Sequence, residues 1–308
     1  MTHANVALRS PETSHQDMIV MPELDNVLNF RDVNRCCPKL RPGRLFRSGH
    51  TLFATDKDAD LLLGQFGIRT VIDLRADGDA EVKSVIGVPD ATNRFVARLE
   101  KVPLDAAASS RLRKPSVTNV PFGGARQLLS YICLNGTLIE IVLLFLYSLF
   151  CMKQRAIGVM SRVFARFGLT GLSCALVSCS GDLVAEVLKV VAVNSENGVL
   201  VHCSLGKDRT GVIIALILMI LDFEEDEIVN DYEESGRAVT VETRKALLPK
   251  TLFDKDLFAD ADGKVIRNLV KFIDKRYGSL NNYLDSIGFD ESYRKMMRTN
   301  LLKRKARQ

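Results

Sequence analysis

Residues 199–220 carry the feature that most constrains the fold of this chain. A short apolar strand ends at Cys203, five residues follow, and Arg209 stands at the start of a second apolar run that is typical of a buried helix. A loop between a strand and a helix N-terminus turns its backbone N–H groups inward, and the helix dipole adds positive potential at the same place. The pattern therefore predicts a site for a tetrahedral oxyanion within an α/β domain.

Cys203 and Arg209 indicate the chemistry expected at that anion. A cysteine beside a helix N-terminus favours the thiolate, which is the nucleophilic form. The planar guanidinium six residues later has the geometry to bind two equatorial oxygens of a phosphoryl group. We therefore expect hydrolysis of phosphate monoesters through a cysteinyl-phosphate intermediate, with Cys203 as the nucleophile. The expected substrate-binding residues are Ser204, Leu205, Gly206, Lys207, Asp208 and Thr210.

Three other functions use a loop of this kind. A nucleotide-binding loop would need Gly at position 201 and Ser or Thr at position 208, where this chain has Val201 and Asp208, so that function is excluded. A phosphate-binding pseudophosphatase would recruit phosphorylated partners without turnover. A sulfurtransferase would carry persulfide sulfur on the cysteine and would not need Arg209 at this spacing. The last two functions stay open at this point.

Motifs outside the loop resemble those of a known family. They are Asn29-Phe-Arg-Asp32, Leu40-Arg-Pro-Gly-Arg-Leu-Phe-Arg-Ser48, Gly67-Ile-Arg-Thr-Val-Ile-Asp-Leu-Arg75, Asp231-Tyr232 with Ser235, and Tyr277-Gly-Ser-Leu280 with Tyr283-Leu284. With the Cys203 loop, they resemble the atypical tyrosine and dual-specificity phosphatases shared by bacteria and fungi, some of which also cleave phosphoinositides. The resemblance covers residues 27–302. It implies phosphorylated proteins or phosphoinositides as partners, and no cofactor.

A phosphatase of this kind needs an acid that protonates the leaving oxygen. The resemblance indicates Asp105, which ends a Val-Pro-Leu-Asp run after a predicted strand. Asp208, inside the loop, and Asp73, at the end of its own strand, are the alternatives. We expect Thr210 to donate its hydroxyl to the departing sulfur or to cap the first helical turn, and His202 to order the loop through hydrogen bonds.

The sequence around Lys207 is compatible with two classes of substrate. The Cys-x-x-Gly-Lys-x-Arg spacing also resembles the loop of phosphoinositide 3-phosphatases, where an extra cation faces a second phosphate. The alternative is that Asp208, its neighbour, neutralises Lys207. Phosphotyrosine and phosphoinositide therefore remain competing substrates.

Composition limits the partners and the compartment. The net charge of +5 suits anionic phosphoesters or an acidic membrane surface, and no basic stripe with interleaved aromatics indicates nucleic acid. Seven cysteines without a Cys-x-x-Cys pair, and only four histidines, argue against a disulfide framework or a metal site. The N-terminal residues lack the apolar core of a signal peptide, so we expect a cytoplasmic protein, with membrane association as an addition.

We expect residues 1–24 to be disordered, 25–302 to form the phosphatase domain, and 303–308 to be a basic tail. Apolar strands alternating with helices predict an α/β fold, with a mainly parallel central sheet flanked by helices, as in cysteine-dependent phosphatases. Arg31 and Asp32 are expected to form an ion pair. The predicted strands are 68–74, 94–102 and 198–202, and the predicted helices are 56–66 capped by Thr55, 181–193 capped by Ser180, 210–221, 264–276 and 290–302.

Residues 106–170 form a predicted helical insertion, opening with a basic loop that runs to Gly124. Within it, residues 131–152 contain a single charged side chain and are numerous enough to span a bilayer. A span would place two strands of one sheet on opposite sides of the membrane. We therefore expect a helical lid over the site, and the alternative is an interfacial helix in peripheral contact with a membrane.

Overall fold

The computed structural model describes residues 23–76, 94–99, 116–121, 125–240 and 260–304. The expected acid Asp105 lies outside the described residues. So do nearly all of the expected disordered segment 1–24 and the end of the expected basic tail.

A five-stranded sheet carries the site. Its strands are β1 Arg31–Asp32, β2 Leu45–Ser48, β3 Ile68–Asp73, β4 Ser116–Asn119 and β5 Gly198–His202. The order is β1-β2-β5-β3-β4, and all neighbours pair in parallel except β1, which lies antiparallel at one edge. The central strand β5 is buried along its whole length, as its unbroken apolar sequence requires. The expected mainly parallel α/β sheet is confirmed.

The register of the sheet brings three strand ends to one edge. Ser48 at the end of β2 and Asp73 at the end of β3 both align with His202 at the end of β5. In open α/β sheets, ligands bind beyond the carboxyl ends of the strands. Cys203 follows β5 directly and therefore lies at this edge.

Eleven α-helices are present in the described part of the chain. They are α1 Asp56–Asp60, α2 Arg94–Leu99, α3 Ala125–Asn135, α4 Leu138–Leu149, α5 Lys153–Cys179, α6 Gly181–Asn194, α7 Asp208–Ile220, α8 Glu225–Ala238, α9 Lys264–Tyr277, α10 Leu280–Ser286 and α11 Glu291–Leu301. Helix α7, which follows the Cys203 loop, packs against α5, α6 and α8 and is buried on nearly every side. The loop is therefore anchored at one end by the central strand and at the other by the most buried helix.

Most of the predicted elements are present. Strands β3 and β5 and helices α6, α7, α9 and α11 begin and end within two residues of their predicted bounds. Thr55 caps α1 as expected. Its hydroxyl accepts the Asp58 N–H at 3.0 Å, and the Asp58 carboxylate accepts the Thr55 N–H at 2.9 Å. The helix then continues as a π-helical segment, Leu61–Gln65.

Two predicted elements in the middle of the chain are wrong. Within the expected strand 94–102, residues 94–99 form helix α2, which packs on α1 with Phe95 and Leu99 buried. Residues 100–102 lie outside the described part of the chain. Part of the expected basic loop, residues 116–119, is the edge strand β4, which pairs in parallel with β3. The polar residues of this segment favoured a loop, but hydrogen bonding to β3 makes it a strand.

The expected cap at Ser180 is also wrong, although helix α6 follows it. The Ser180 backbone, with φ −132° and ψ 31°, is not the extended conformation of an N-cap. Its buried hydroxyl has no hydrogen-bond partner in the described part of the chain.

Residues 131–152 form the end of α3 and the whole of α4 rather than one continuous helix. The chain turns at Gly136, and Thr137 and Glu140 form a capping box that begins α4. The principal contacts of α4 are with α5. A helical insertion is therefore present, and its role as a lid stays a prediction.

Helix α5 is the one described helix that is long and apolar enough, by length and composition, to cross a membrane. It is interrupted at Gly168, whose φ of 57° and ψ of −155° are not helical. It packs against α3, α4, α7 and α9. The contact with α7 connects α5 to the helix that follows the Cys203 loop, and 39% of the most apolar stretch of α5 is buried.

Candidate active site

The Cys203 loop forms a tight turn around the cysteine sulfur. The backbone N–H of Gly206 donates to Cys203 Sγ at 3.2 Å, and Cys203 itself is buried. Gly206 has φ +68°, and a Cβ at this position would lie 2.2 Å from the carbonyl oxygen of Ser48. Only glycine fits both the conformation and the close approach of β2. Glycine at position 206 therefore permits the turn in which its own N–H points at the sulfur.

Arg209 joins the loop to the end of β3. Its guanidinium donates to Ser204 Oγ at 3.0 Å and to the carbonyl oxygen of Leu74 at 3.4 Å. Thr210 follows in the first turn of α7, where its buried hydroxyl has no hydrogen-bond partner among the described residues. The structure thus gathers the predicted Cys203, Ser204, Gly206 and Arg209 into one site, with Thr210 at its base.

Two carbonyl groups of the loop accept hydrogen bonds from side chains outside it. Arg47 Nη2 donates to the carbonyl oxygen of Gly206 at 2.8 Å, and the amide of Asn29 donates to the carbonyl oxygens of Leu205 at 3.1 Å and Gly206 at 2.9 Å. Because the Leu205 carbonyl faces Asn29, the N–H of the same peptide, that of Gly206, turns the other way, toward the sulfur. Asn29 thus sets the direction of this anion-binding N–H.

A buried carboxylate on α8 holds Arg47 in turn. Asp231 accepts from Arg47 Nη1 and, at 3.3 Å, from Arg31 Nε, and all three side chains are almost completely buried. Ser235 Oγ accepts from Arg31 Nη2 at 3.0 Å and from Arg47 Nη2 at 3.1 Å. Burial, and secondarily the neighbouring Arg47, lower the pKa of Arg31 to about 10, so the Arg31 guanidinium is charged at neutral pH.

The expected ion pair between Arg31 and Asp32 is wrong. Successive residues of a strand point to opposite faces, so neighbours in β1 do not pair with each other. Asp32 instead accepts the backbone N–H groups of Asn34 at 2.9 Å and Gly43 at 2.6 Å. Arg31 points to the other face, where it reaches Asp231.

Sequence reasoning did not identify Asn29, Arg47, Asp231 and Ser235 as parts of the site. The signal that could have found them was their presence in the motifs that carried the family resemblance, at Asn29-Phe-Arg-Asp32, at the Arg-Ser end of the second motif, and at Asp231-Tyr232 with Ser235. Their separation along the chain hid the connection: Arg31 and Asp231 are 200 residues apart.

Asp73 and His202 are paired neighbours at the ends of β3 and β5, directly before the Cys203 loop. Asp73 is held by Arg75, with Nε 2.9 Å from Oδ1 and Nη2 2.7 Å from Oδ2. Burial alone would raise the pKa of Asp73, but His202 and Arg75 outweigh burial and lower it. An ionised carboxylate in a forked ion pair is poorly suited to donate a proton, which weakens Asp73 as the alternative acid.

His202 is fully buried beside the backbone of the nucleophile. Its Nδ1 lies 3.4 Å from the carbonyl oxygen of Cys203 and 3.7 Å from Asp73 Oδ1. Burial lowers the pKa of His202, and it lowers that of His50 to about 4. The geometry of His202 agrees with its expected role of ordering the loop.

Lys207 is turned away from solvent. Its Nζ donates to Asp208 Oδ1 and to the carbonyl oxygen of Asp260, both at 2.7 Å, and the residue is buried. The hydroxyl of Tyr232 donates to the same Asp208 oxygen at 3.4 Å. Of the two alternatives for Lys207, this arrangement corresponds to neutralisation by Asp208. Asp105 lies outside the described residues, so its role as the acid stays a prediction.

In the part of the chain that the structure describes, no group of three or more His, Cys, Asp or Glu side chains is arranged to hold a metal ion. The seven cysteines are all free thiols.

Comparisons with known proteins agree with this geometry. A model of the "Tyrosine phosphatase family" matches residues 22–303. The triple specificity protein phosphatase PtpB of Mycobacterium tuberculosis is 28% identical over 296 residues, covering 91% of this chain and 98% of that protein. The inositol diphosphatase DSP1 of Oryza sativa subsp. japonica is 30% identical over 125 residues, or 40% of this chain and 51% of that protein.

Solved structures were matched as well, among them the following one. The core catalytic domain of the PP-IP phosphatase SIW14 from S. cerevisiae, in complex with citrate, is 16% identical with a TM-score of 0.35, covering 83% of this chain and 94% of that chain.

Proposed function

Because the chain belongs to the tyrosine phosphatase family, we propose that Cys203 is the nucleophile of this phosphoric monoester hydrolase and that Arg209 binds the phosphoryl group. The observation that carries the assignment is the Gly206 N–H directed at Cys203 Sγ at 3.2 Å. This N–H lies just before the N-terminus of α7, where it can also donate to an oxygen of the phosphoryl group during transfer.

The proposed reaction has two steps. In the first, Cys203 Sγ attacks phosphorus, the S–P bond forms, and the bond from phosphorus to the leaving oxygen breaks as an acid protonates that oxygen. Asp105 is the proposed acid, with Asp208 as the alternative. In the second step, the acid, now deprotonated, takes a proton from water, the water oxygen attacks phosphorus, the S–P bond breaks, and inorganic phosphate leaves. Thr210 is proposed to donate its unpartnered hydroxyl to the departing sulfur.

Arg209 would change partners on substrate binding. Its bonds to Ser204 Oγ and the Leu74 carbonyl oxygen, at 3.0 and 3.4 Å, keep the guanidinium beside the loop. A phosphoryl group offers two charged oxygens in the geometry that a planar guanidinium binds in a charge-assisted fork.

For the substrate, we favour phosphorylated proteins, with phosphotyrosine first and phosphoserine or phosphothreonine in addition. Lys207 supports this choice, because the cation that would face a second phosphate is buried against Asp208 and Asp260. The alternative is an inositol phosphate or phosphoinositide. The relative from rice, named an inositol diphosphatase, favours that alternative.

A comparison of substrates tests the choice. The specificity constant kcat/KM is measured in EDTA for a phosphotyrosine peptide, a phosphoserine peptide and a soluble inositol diphosphate, with Cys203→Ser as the inactive control. We expect the phosphotyrosine peptide to be preferred and Lys207→Met to lower all rates by a similar factor. Preference for the inositol substrate, lost selectively in Lys207→Met, would establish the alternative. Binding of the peptide without any turnover would indicate a pseudophosphatase.

We propose a cytoplasmic location, which the seven free thiols support, because a reactive cysteine is preserved in a reducing compartment. Fractionation of cells with an antibody against the protein tests this. We also propose that residues 131–152 contact a membrane, through a surface separate from the catalytic loop.

A further inference from the structure

Helix α4 presents a continuous apolar face to solvent. Six side chains on one side of the helix are exposed, with Leu138 77%, Ile139 72%, Phe145 67% and Leu149 63% exposed, and Val142 and Leu146 between them. At 100° per residue these positions fall within one third of the helix circumference. The opposite side holds Leu144 and Glu140, which are buried, and faces α5.

This face is not part of a general scatter of exposed apolar residues. Of the twelve large apolar side chains that are exposed in the described part of the chain, eight lie between Leu138 and Met152. Single exposed apolar residues are normal on a soluble protein, whereas a contiguous set marks an interaction surface. The two remaining members, Phe150 and Met152, extend the face past the C-terminal end of α4.

Positive charge follows this face along the chain. Helix α5 begins directly after it with Lys153 and Arg155, both exposed. The Arg155 guanidinium lies 5.9 Å from the centre of the Tyr147 ring, on the side of α4 that faces α5. Arg162 is exposed about two turns beyond Arg155. The one carboxylate in residues 125–179, that of Glu140, is bound to Arg166 at 2.6 Å and to the start of its own helix.

We propose that the α4 face, defined as the exposed side chains of 138–152, docks on the surface of an anionic lipid bilayer. A helix that lies in the interface inserts its apolar side among the acyl chains and places Lys and Arg beside the anionic headgroups. The α4 face and the cations of α5 provide both parts. A second copy docked on this face would instead place the Lys and Arg side chains of the two copies opposite each other. This contact between like charges disfavours a dimer.

Vesicle binding tests the proposal. The full chain is mixed with phosphatidylcholine vesicles that contain a minor fraction of phosphatidylserine, so that no phosphomonoester is present to occupy the catalytic loop. The test variant carries Ile139→Ser, Phe145→Ser and Leu149→Ser, and Met296→Ser, an exposed apolar residue on α11, is the matched control. A second variant carries Lys153→Gln and Arg162→Gln. Turnover of a soluble aryl phosphate is measured for every variant.

We expect the unmodified chain and Met296→Ser to bind equally, and the triple variant to bind roughly 100-fold or more weakly, because each large side chain withdrawn from the acyl region changes partition by about tenfold. The charge variant should bind roughly tenfold more weakly, and added salt should weaken binding by the unmodified chain. Turnover of the soluble substrate should stay within about twofold in all variants.

Three results would overturn the proposal. The first is binding of the triple variant that equals that of the unmodified chain. The second is that the unmodified chain does not bind the vesicles but forms a dimer, and that the triple substitution makes it monomeric. This result would assign the face to a second copy. The third is that the unmodified chain does not bind the vesicles and that the triple substitution changes turnover. This result would assign the face to a lid. Vesicle binding does not depend on Cys203, so these outcomes are separate from those that test the catalytic assignment.

Discussion

Replacement of Asp231 by asparagine removes the charge that two buried arginines share. The side chains of Arg31, Arg47 and Asp231 are 4%, 0% and 2% exposed, so no solvent reaches the pair to replace the lost carboxylate. Removing one partner of a buried ion pair costs about 3–5 kcal/mol, because the remaining charge is left without compensation. Asparagine has nearly the same shape, so no cavity adds to this cost. For a domain of this size, that loss lowers Tm by roughly 10 °C.

Thermal and urea unfolding measure the effect. The matched control is Glu234→Gln on the same helix α8, which breaks the exposed pair between Glu234 and Arg237. Exposed pairs contribute about 1 kcal/mol or less, so the control should change Tm by only a few degrees. A loss of stability in Asp231→Asn no larger than that in Glu234→Gln would refute the argument that the network is a tightly coupled buried charge cluster.

Three further predictions follow from the site. Gly206→Ala should lower kcat/KM for an aryl phosphate by roughly 100-fold or more, because the added Cβ meets the Ser48 carbonyl oxygen at 2.2 Å; a loss below tenfold would show that the turn is less constrained. Arg209→Lys should lower the same constant by roughly 10²–10³-fold, since the forked contact to phosphate is lost, whereas a sulfurtransferase assay unaffected by the change would favour that chemistry. The pKa of His50 is about 4 in the folded chain and 6.5 ordinarily, so below pH 6.5 the unfolded chain binds a proton that the folded chain does not. Stability should therefore fall by roughly 3 kcal/mol as pH drops from about 6.5 to 4, and urea unfolding of His50→Asn across this range should show a shallower decline; an unchanged pH profile would contradict the assignment.

The parts of the fold that sequence could predict are those fixed by neighbouring residues. The strand, turn and helix around Cys203 follow from an apolar run, a turn that needs Gly206, and a second apolar run. The capping box of Thr55 and Asp58 is likewise contained in four residues. In each case the information that determines the element lies within it.

The remaining features depend on contacts between distant segments. Phe95 and Leu99 lie on one face of a strand as well as of a helix, so the local pattern does not separate the two. In the fold, this segment is a helix that packs against α1. Asp231 reaches Arg31 and Arg47 only after α8 packs behind the sheet, so adjacent Asp32 looked like the better partner for Arg31. The break at Gly136 is different, because the capping box of Thr137 and Glu140 that begins α4 lies within four neighbouring residues and its signal was missed.

The central claim is that Cys203 carries the phosphoryl group during turnover, and trapping that intermediate tests it most directly. The protein is mixed with excess aryl phosphate in EDTA, quenched in acid within one turnover, and its peptides are analysed by mass spectrometry. The account predicts one added phosphoryl group on the peptide that contains Cys203, and neither adduct nor turnover in Cys203→Ser. Turnover that persists in Cys203→Ser, or a phosphoryl group trapped on a different residue, would contradict it.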